Sequence, residues 1–248
     1  GIIGITSSKE VTSRIIGSLK KLEYRGYDSA GIATISENNI NEVKCEGRVN
    51  ELEKNISQNN LSGTIGIGHV RWATHGKPSA VNAHPHSTDN VSVVHNGIIE
   101  NSTILKKILE NKGYKFKSQT DTEVIVHLVT DYLKKNNLKD TIIKVLKKLH
   151  GSFALGIIFK DQPDLIIGAR RGSPLAVGYG PDEHYLGSDS YALKSMTNKV
   201  SYLNDGEFCI LKKDEVEFFD TDGVKINKEI LNLSKDEQNY EKGQYKYF

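Results

Sequence analysis

Apolar residues recur along this chain in two rhythms. The opening Gly1-Ile2-Ile3-Gly4-Ile5-Thr6 is a short β-branched run in which two glycines remove bulk at points of close approach, the pattern of a buried strand. Beyond it Val11, Ile15, Ile16, Leu19 and Leu22 fall at helical spacing. Ser7 followed by Glu10 has the form of a capping box, so a helix is expected to run to residue 22, with Gly26 past its end. Further apolar runs predict strands at 30–35, 64–69, 91–95, 153–159, 165–169 and 207–212, several of them apolar on both faces. Amphipathic stretches preceded by polar residues predict helices at 104–109, 124–133 and 142–149. Strands outnumber helices and the helices do not alternate regularly with them. That favours layered α+β packing over a doubly wound sheet, with the sheets covered on both faces.

Composition narrows the picture. The 248 residues allow one large domain or two small ones, and 37% hydrophobic content is compatible with a sizeable core. Thirty-three basic residues stand against 31 acidic ones, and the two signs are interleaved, so the sequence points to no nucleic-acid partner and no membrane surface. Cys45 and Cys209 lie far apart without a CxxC spacing and read as reduced thiols. No apolar stretch approaches the roughly 18 residues a membrane-spanning helix needs, and the N-terminus lacks a signal-type core, so a cytoplasmic location is expected. There is no internal repeat. The polar and aromatic segment 238–248 reads as chain leaving the domain.

Candidate chemistry concentrates between residues 69 and 95, which hold five of the eight histidines, His69, His75, His84, His86 and His95, beside Arg71 and the single Trp72. His84 and His86 alternate on an extended chain and suggest a metal pair, although no carboxylate-rich partner is near in sequence. Arg71 suits a carboxylate, which a guanidinium holds through two parallel bonds; a surface Arg stacked on Trp72 fits the same pattern. Asn96-Gly97 between β-branched residues favours a type I′ hairpin turn, and the alternative makes the Asn96 amide and the Gly97 N–H donors to a developing oxyanion. Asp121, beside a second capping-box pattern at Thr120 and Glu123, satisfies a helix start or holds a ligand ammonium. The run Glu23-Tyr24-Arg25-Gly26-Tyr27-Asp28-Ser29-Ala30-Gly31 is richer in Arg and Tyr than a plain helix exit requires.

Taken together, Gly1-Ile2-Ile3-Gly4, residues 23–31, residues 69–76, Asn82-Ala83-His84-Pro85-His86, residues 95–101 and Thr120-Asp121-Thr122-Glu123 resemble the N-terminal glutaminase domain of the glutamine–fructose-6-phosphate aminotransferases, which are amidotransferases of the N-terminal-nucleophile class. The resemblance implies an α+β four-layer αββα sandwich over residues 1–240. Residues 241–248 would begin the connection to a C-terminal sugar-isomerase domain of the full-length chain, expected to be a homo-oligomer. It also implies hydrolysis of L-glutamine to L-glutamate and ammonia, the ammonia being used to make glucosamine 6-phosphate from fructose 6-phosphate in amino sugar biosynthesis. No metal or organic cofactor is implied.

Residue roles carry over in the same way. Arg71 would bind the glutamine α-carboxylate and Asp121 its α-ammonium, with Thr74, His75 and Gly97 completing the pocket. Asn96 and Gly97 would form the oxyanion hole, Arg25 would support the nucleophile's surroundings, and Trp72 would act on the loop closing over substrate. The nucleophile in the family is an N-terminal cysteine, and Gly1 aligns with the residue after it, so that cysteine is expected immediately before Gly1. Two other classes fit parts of the sequence: a metal-dependent hydrolase built on His84 and His86, and a glutamine-binding module that retains Arg71 and Asp121 without a nucleophile.

Overall fold

The computed structural model describes residues 1–73 and 76–233. In chain order its elements are β1 (Ile2–Ser7), α1 (Thr12–Leu22), a 3-10 turn (Glu23–Arg25), β2 (Ser29–Ser36), β3 (Asn39–Glu46), α2 (Val49–Asn59), β4 (Ile65–Arg71), β5 (His86–Ser87) and β6 (Val91–Ile99). There follow α3 (Ser102–Asn111), α4 (Glu123–Leu133), α5 (Leu138–Lys148), β7 (Gly151–Phe159), β8 (Gln162–Arg171), β9 (Ala176–Gly180), β10 (Glu183–Gly187), α6 (Ser190–Leu193), β11 (Lys199–Tyr202), β12 (Phe208–Lys212), β13 (Val216–Phe219), β14 (Lys225–Ile226) and β15 (Leu231–Asn232). Two sheets result, in the orders β15-β11-β9-β10-β1-β4-β2-β3 and β14-β13-β12-β8-β7-β6-β5.

Three apolar layers define the architecture. Ile3, Ile5 and Ile32 of the first sheet pack against Ile15, Leu19, Val49 and Leu52 of α1 and α2. Val93, Leu155 and Ile167 of the second sheet pack against Leu109, Val126, Val129, Val145 and Leu146 of α3, α4 and α5. Between the sheets lie Ile2, Ile67, Val94, Ile158, Ile166 and Leu186. The fold is therefore a four-layer αββα sandwich, as the sequence led us to expect. The alternation along β1 shows why: Ile2 faces the other sheet while Ile3 and Ile5 face the helices, so every position is buried and the run reads as apolar throughout. Each such side chain, fully removed from water, contributes about 1.5–3 kcal/mol.

Several local expectations are corrected. Ser7 ends β1 and its Oγ donates to Glu183 Oε2 at 2.7 Å, so it caps no helix. Glu10 alone serves α1, accepting from the Thr12 N–H at 2.7 Å. At α4 neither Thr120 nor Glu123 forms a capping box: Thr120 Oγ1 meets His86 Nε2, and the Glu123 carboxylate accepts from the amides of Lys117 and Ser118. The Asn96-Gly97 turn is absent as well. β6 runs through the pair and stays in register with β7, Asn96 opposite Ala154 and Gly97 opposite Phe153. A type I′ turn needs positive φ at both central residues, and only Gly97, at φ 119°, has it. Among the described residues no helix is long and apolar enough to cross a membrane.

Candidate active site

A cavity of about 350 Å³ opens where β4 and β6 finish, and it gathers residues from distant parts of the chain. Gly1, Arg25, His69, Arg71, Trp72, Asn96, Gly97 and Asp121 all line it, as do Ser173 and Pro174 from the loop after β8. Sequence separation hides this grouping: Arg71 ends a strand of the first sheet, whereas Asp121 precedes a helix covering the second.

Arg71 is buried and is steered by Asp28. Their closest approach is 3.6 Å, and Arg71 Nη2 also donates to the Gly76 carbonyl at 3.3 Å. Asp28 in turn accepts from Ser29 Oγ and from the Ala73 amide, and its own N–H donates to the Arg71 carbonyl at 3.2 Å. The aspartate of the Tyr-Asp-Ser run thus clamps the end of β4 from three directions. Gly26 makes the approach possible, since a Cβ there would stand 2.5 Å from the Arg71 carbonyl carbon. Burial lowers the pKa of Arg71, opposed by the charges of Asp28 and Asp121.

Asp121 Oδ2 accepts from the Ile99 N–H at 2.7 Å. Its carboxylate is therefore tied to the end of β6 instead of to the helix start that follows it in sequence. Asn96 Oδ1 lies 2.9 Å from His69 Nε2. Gly97 is close-packed: a Cβ would fall 2.1 Å from the Ser152 carbonyl oxygen, so the residue must be glycine on steric and conformational grounds together.

At the floor of the cavity the Gly1 nitrogen donates to the Val70 carbonyl at 2.6 Å, and the Val70 N–H donates back to the Gly1 carbonyl at 3.0 Å. Arg25 is paired with Asp189 at 3.1 Å, and Tyr24 bonds the same carboxylate oxygen. Behind this floor the histidines form a buried group. The His69 and His84 rings stack 4.3 Å apart, His86 lies 5.0 Å from His84, and His95 Nδ1 bonds Thr122 Oγ1 at 2.9 Å. Burial lowers the pKa of all four, with His86 held at about 3. These are neutral rings with structural partners: His84 Nδ1 accepts from the His95 amide and His86 Nε2 meets Thr120. Among the described residues no group of three or more His, Cys, Asp or Glu is arranged to hold a metal.

The glutamine amidotransferase domain family matches residues 70–195, half of the chain. This chain belongs to that family. It is 49% identical over 250 residues to a glutamine–fructose-6-phosphate aminotransferase (isomerizing) of Clostridium acetobutylicum, covering 100% of this chain and 41% of that protein. It is 47% identical to the enzyme of the same name from Bradyrhizobium diazoefficiens, again over 100% of this chain and 41% of the relative. The chain thus spans about two fifths of the length of these curated relatives. Among solved structures it is similar to the glutamine phosphoribosylpyrophosphate amidotransferase of B. subtilis complexed with ADP and GMP, with a TM-score of 0.75 and 29% identity over 89% of this chain and 49% of the other.

Of the residues singled out in this amidotransferase domain, Arg25, Arg71, Trp72, Asn96, Gly97 and Asp121 meet at one cavity, while Thr74 and His75 lie outside the described residues. Trp72 is 64% exposed and meets Tyr27 edge to face at 6.2 Å, so it stands at the rim instead of covering Arg71. Asp28, His69, Asp189 and Ser173 carried no assigned role in the sequence. The available signals were the excess of charged and aromatic residues in the run containing Asp28 and the histidine cluster that includes His69.

Proposed function

We propose that the domain hydrolyses the side-chain amide of L-glutamine to L-glutamate and ammonia. The observation that carries this reading is that a buried cation, Arg71, and an anion, Asp121, line a single cavity with Gly1, Asn96 and Gly97, the other lining arginine, Arg25, being paired with Asp189. A zwitterionic amino acid needs both clamps, and Arg71 can hold the α-carboxylate through paired bonds while Asp121 takes the α-ammonium. Thr74 and His75 would complete the pocket, and Trp72 would close over it.

The nucleophile in this reading is a cysteine joined to Gly1. The Gly1 nitrogen bonds the Val70 carbonyl at 2.6 Å, a bond that a peptide N–H at the same place makes equally well. The cysteine α-amine, with a pKa near roughly 8, accepts the thiol proton as the thiolate attacks the amide carbonyl. Asn96 and Gly97 hold the resulting oxyanion, each donor being worth about 3 kcal/mol. The C–N bond then breaks with proton transfer to the leaving nitrogen, and water hydrolyses the thioester to glutamate. In the full-length protein, a cytoplasmic homo-oligomer in this reading, residues 241–248 lead to a sugar-isomerase domain. That domain consumes the ammonia in converting fructose 6-phosphate to glucosamine 6-phosphate, a reading supported by curated relatives named glutamine–fructose-6-phosphate aminotransferase (isomerizing).

Glutamate release should be measured for the chain preceded by one cysteine and for the chain starting at Gly1. Release only with the cysteine is expected. Release from neither would favour a silent glutamine-binding module, and release from both would mean another group is the nucleophile.

A further inference from the structure

One polar contact spans the two sheets beside the cavity. His69 comes from β4 in the first sheet and Asn96 from β6 in the second, and His69 Nε2 meets Asn96 Oδ1 at 2.9 Å. With the amide oxygen on the His69 side, Nε2 carries the hydrogen, since an amide oxygen only accepts. Burial keeps the ring neutral, so Nδ1 is then bare, and it is a buried nitrogen with no hydrogen-bond partner among the described residues. The ring itself has little freedom, being 3% exposed and stacked on His84.

The amide oxygen and NH2 occupy opposite edges of the Asn96 amide. Capturing Oδ1 on the His69 side turns Nδ2 away from it. Reversing the amide would set two N–H donors against each other in a buried site, a cost of about 1–3 kcal/mol for the unmade bond. Imidazole tautomer and amide orientation therefore lock one another.

We propose that His69 is a positioning residue that, through its bond to Asn96 Oδ1, presents Asn96 Nδ2 to the substrate carbonyl oxygen as it becomes an oxyanion. The inference rests on the reading of Asn96 as an oxyanion donor. His69 acts through Asn96 and exchanges no proton with substrate, so its contribution belongs to kcat and not to ground-state binding.

The test uses glutamate release by the full-length protein carrying Asn96→Ala, His69→Phe, His69→Gln or His69→Phe with Asn96→Ala. Asn96→Ala should lower kcat by about 10²–10³-fold. His69→Phe keeps a ring but no donor and should lower kcat on the order of 10–100-fold with KM within about threefold. His69→Gln, whose amide nitrogen reaches close to the place of Nε2, should recover most of that loss. The double variant should be no slower than Asn96→Ala alone, because one device has been removed twice. Nitrogen-15 NMR of the unmodified protein should find His69 as the Nε2–H tautomer, a reading that stands even if His69→Phe fails to fold. Wild-type kcat in His69→Phe, no recovery by His69→Gln, additive losses or an Nδ1–H tautomer would each overturn the inference. Wild-type kcat in Asn96→Ala would instead remove the oxyanion reading beneath it.

Discussion

The layer between the two sheets has two unlike ends. Away from the cavity it is aliphatic, with Ile2, Ile67, Val94, Ile158, Ile166 and Leu186 in contact across the gap. At the cavity the same sheets place His69, His95, Asn96 and Arg71, beside His84 from the loop before β5, and each of these side chains has at least one bonded or ionic partner. Removing apolar area from water stabilises the fold wherever it occurs, whereas a buried amide or imidazole is tolerated only when bonded. The aliphatic end therefore holds the sheets together, and the polar end draws on that stability to keep donors in costly but useful orientations. Fold stability and turnover should respond to different substitutions.

The largest expected break in that division is Gly97→Ala. The new methyl would stand 2.1 Å from the Ser152 carbonyl oxygen, so β6 must leave β7 and carry Asn96 with it. We expect more than about 10³-fold loss of kcat/KM for glutamine, roughly 4 kcal/mol of transition-state stabilisation, and near-normal turnover would disprove Gly97's place at the reacting carbonyl. Next, Ile67→Ala at the aliphatic end should cost about 3 kcal/mol of stability. Its melting midpoint should fall by roughly 6–12 °C, with kcat at low temperature within about twofold, since nothing near the cavity changes. A large kcat effect there would show that the two ends are coupled.

Arg71→Lys keeps the charge and removes the planar fork. We expect kcat/KM to drop about 10–100-fold, mainly through KM, with melting little altered. An unchanged KM would show that Arg71 does not hold the substrate carboxylate. The smallest effect concerns acid. Burial pushes the Glu183 carboxyl up, but bonds from Arg14, Tyr185 and Ser7 outweigh it and hold the group at about 2, below its ordinary 4.5. A depressed folded-state pKa contributes stability above the unfolded value and loses it as pH falls through the folded one, here between 4.5 and about 2. Glu183→Gln should therefore flatten the decline in stability across that window in acid titrations followed by circular dichroism, and an unaltered slope would mean that the Arg14 pairing carries no linkage.

Layered α+β packing with covered sheets was legible because the strands are apolar on both faces, whereas the four-layer αββα order was implied by the family resemblance. β3 and α2 were missed for the complementary reason: β3 is an edge strand mostly exposed along Asn39–Glu46, and the two buried residues of α2, Val49 and Leu52, make too short a pattern to detect. The capping boxes at Ser7 and Thr120 failed because each hydroxyl had a tertiary partner that spacing does not reveal. Asn96-Gly97 failed because pairing with β7 overrode a local turn preference. For the site, residue type suggested what Arg71 and Asp121 can do, and only the family resemblance brought them to one ligand. Asp28 and His69 stood out in sequence only as members of a rich run and a histidine cluster, and their roles were hidden because the contacts that define them lie 43 and 27 residues away along the chain, to Arg71 and Asn96.

The position of β1 also sets a timetable for synthesis. Its Ile3 pairs with Gly68 of β4 on one side and with Gly187 of β10 on the other. At roughly 5–20 residues per second, a ribosome takes on the order of 10–40 s to move from the first of these strands to the last. Through that interval an isoleucine-rich strand leaves the exit tunnel and must wait with one edge unsatisfied, exposed to any extended chain it meets. The cavity floor at Gly1 is therefore among the last parts of the domain to become permanent.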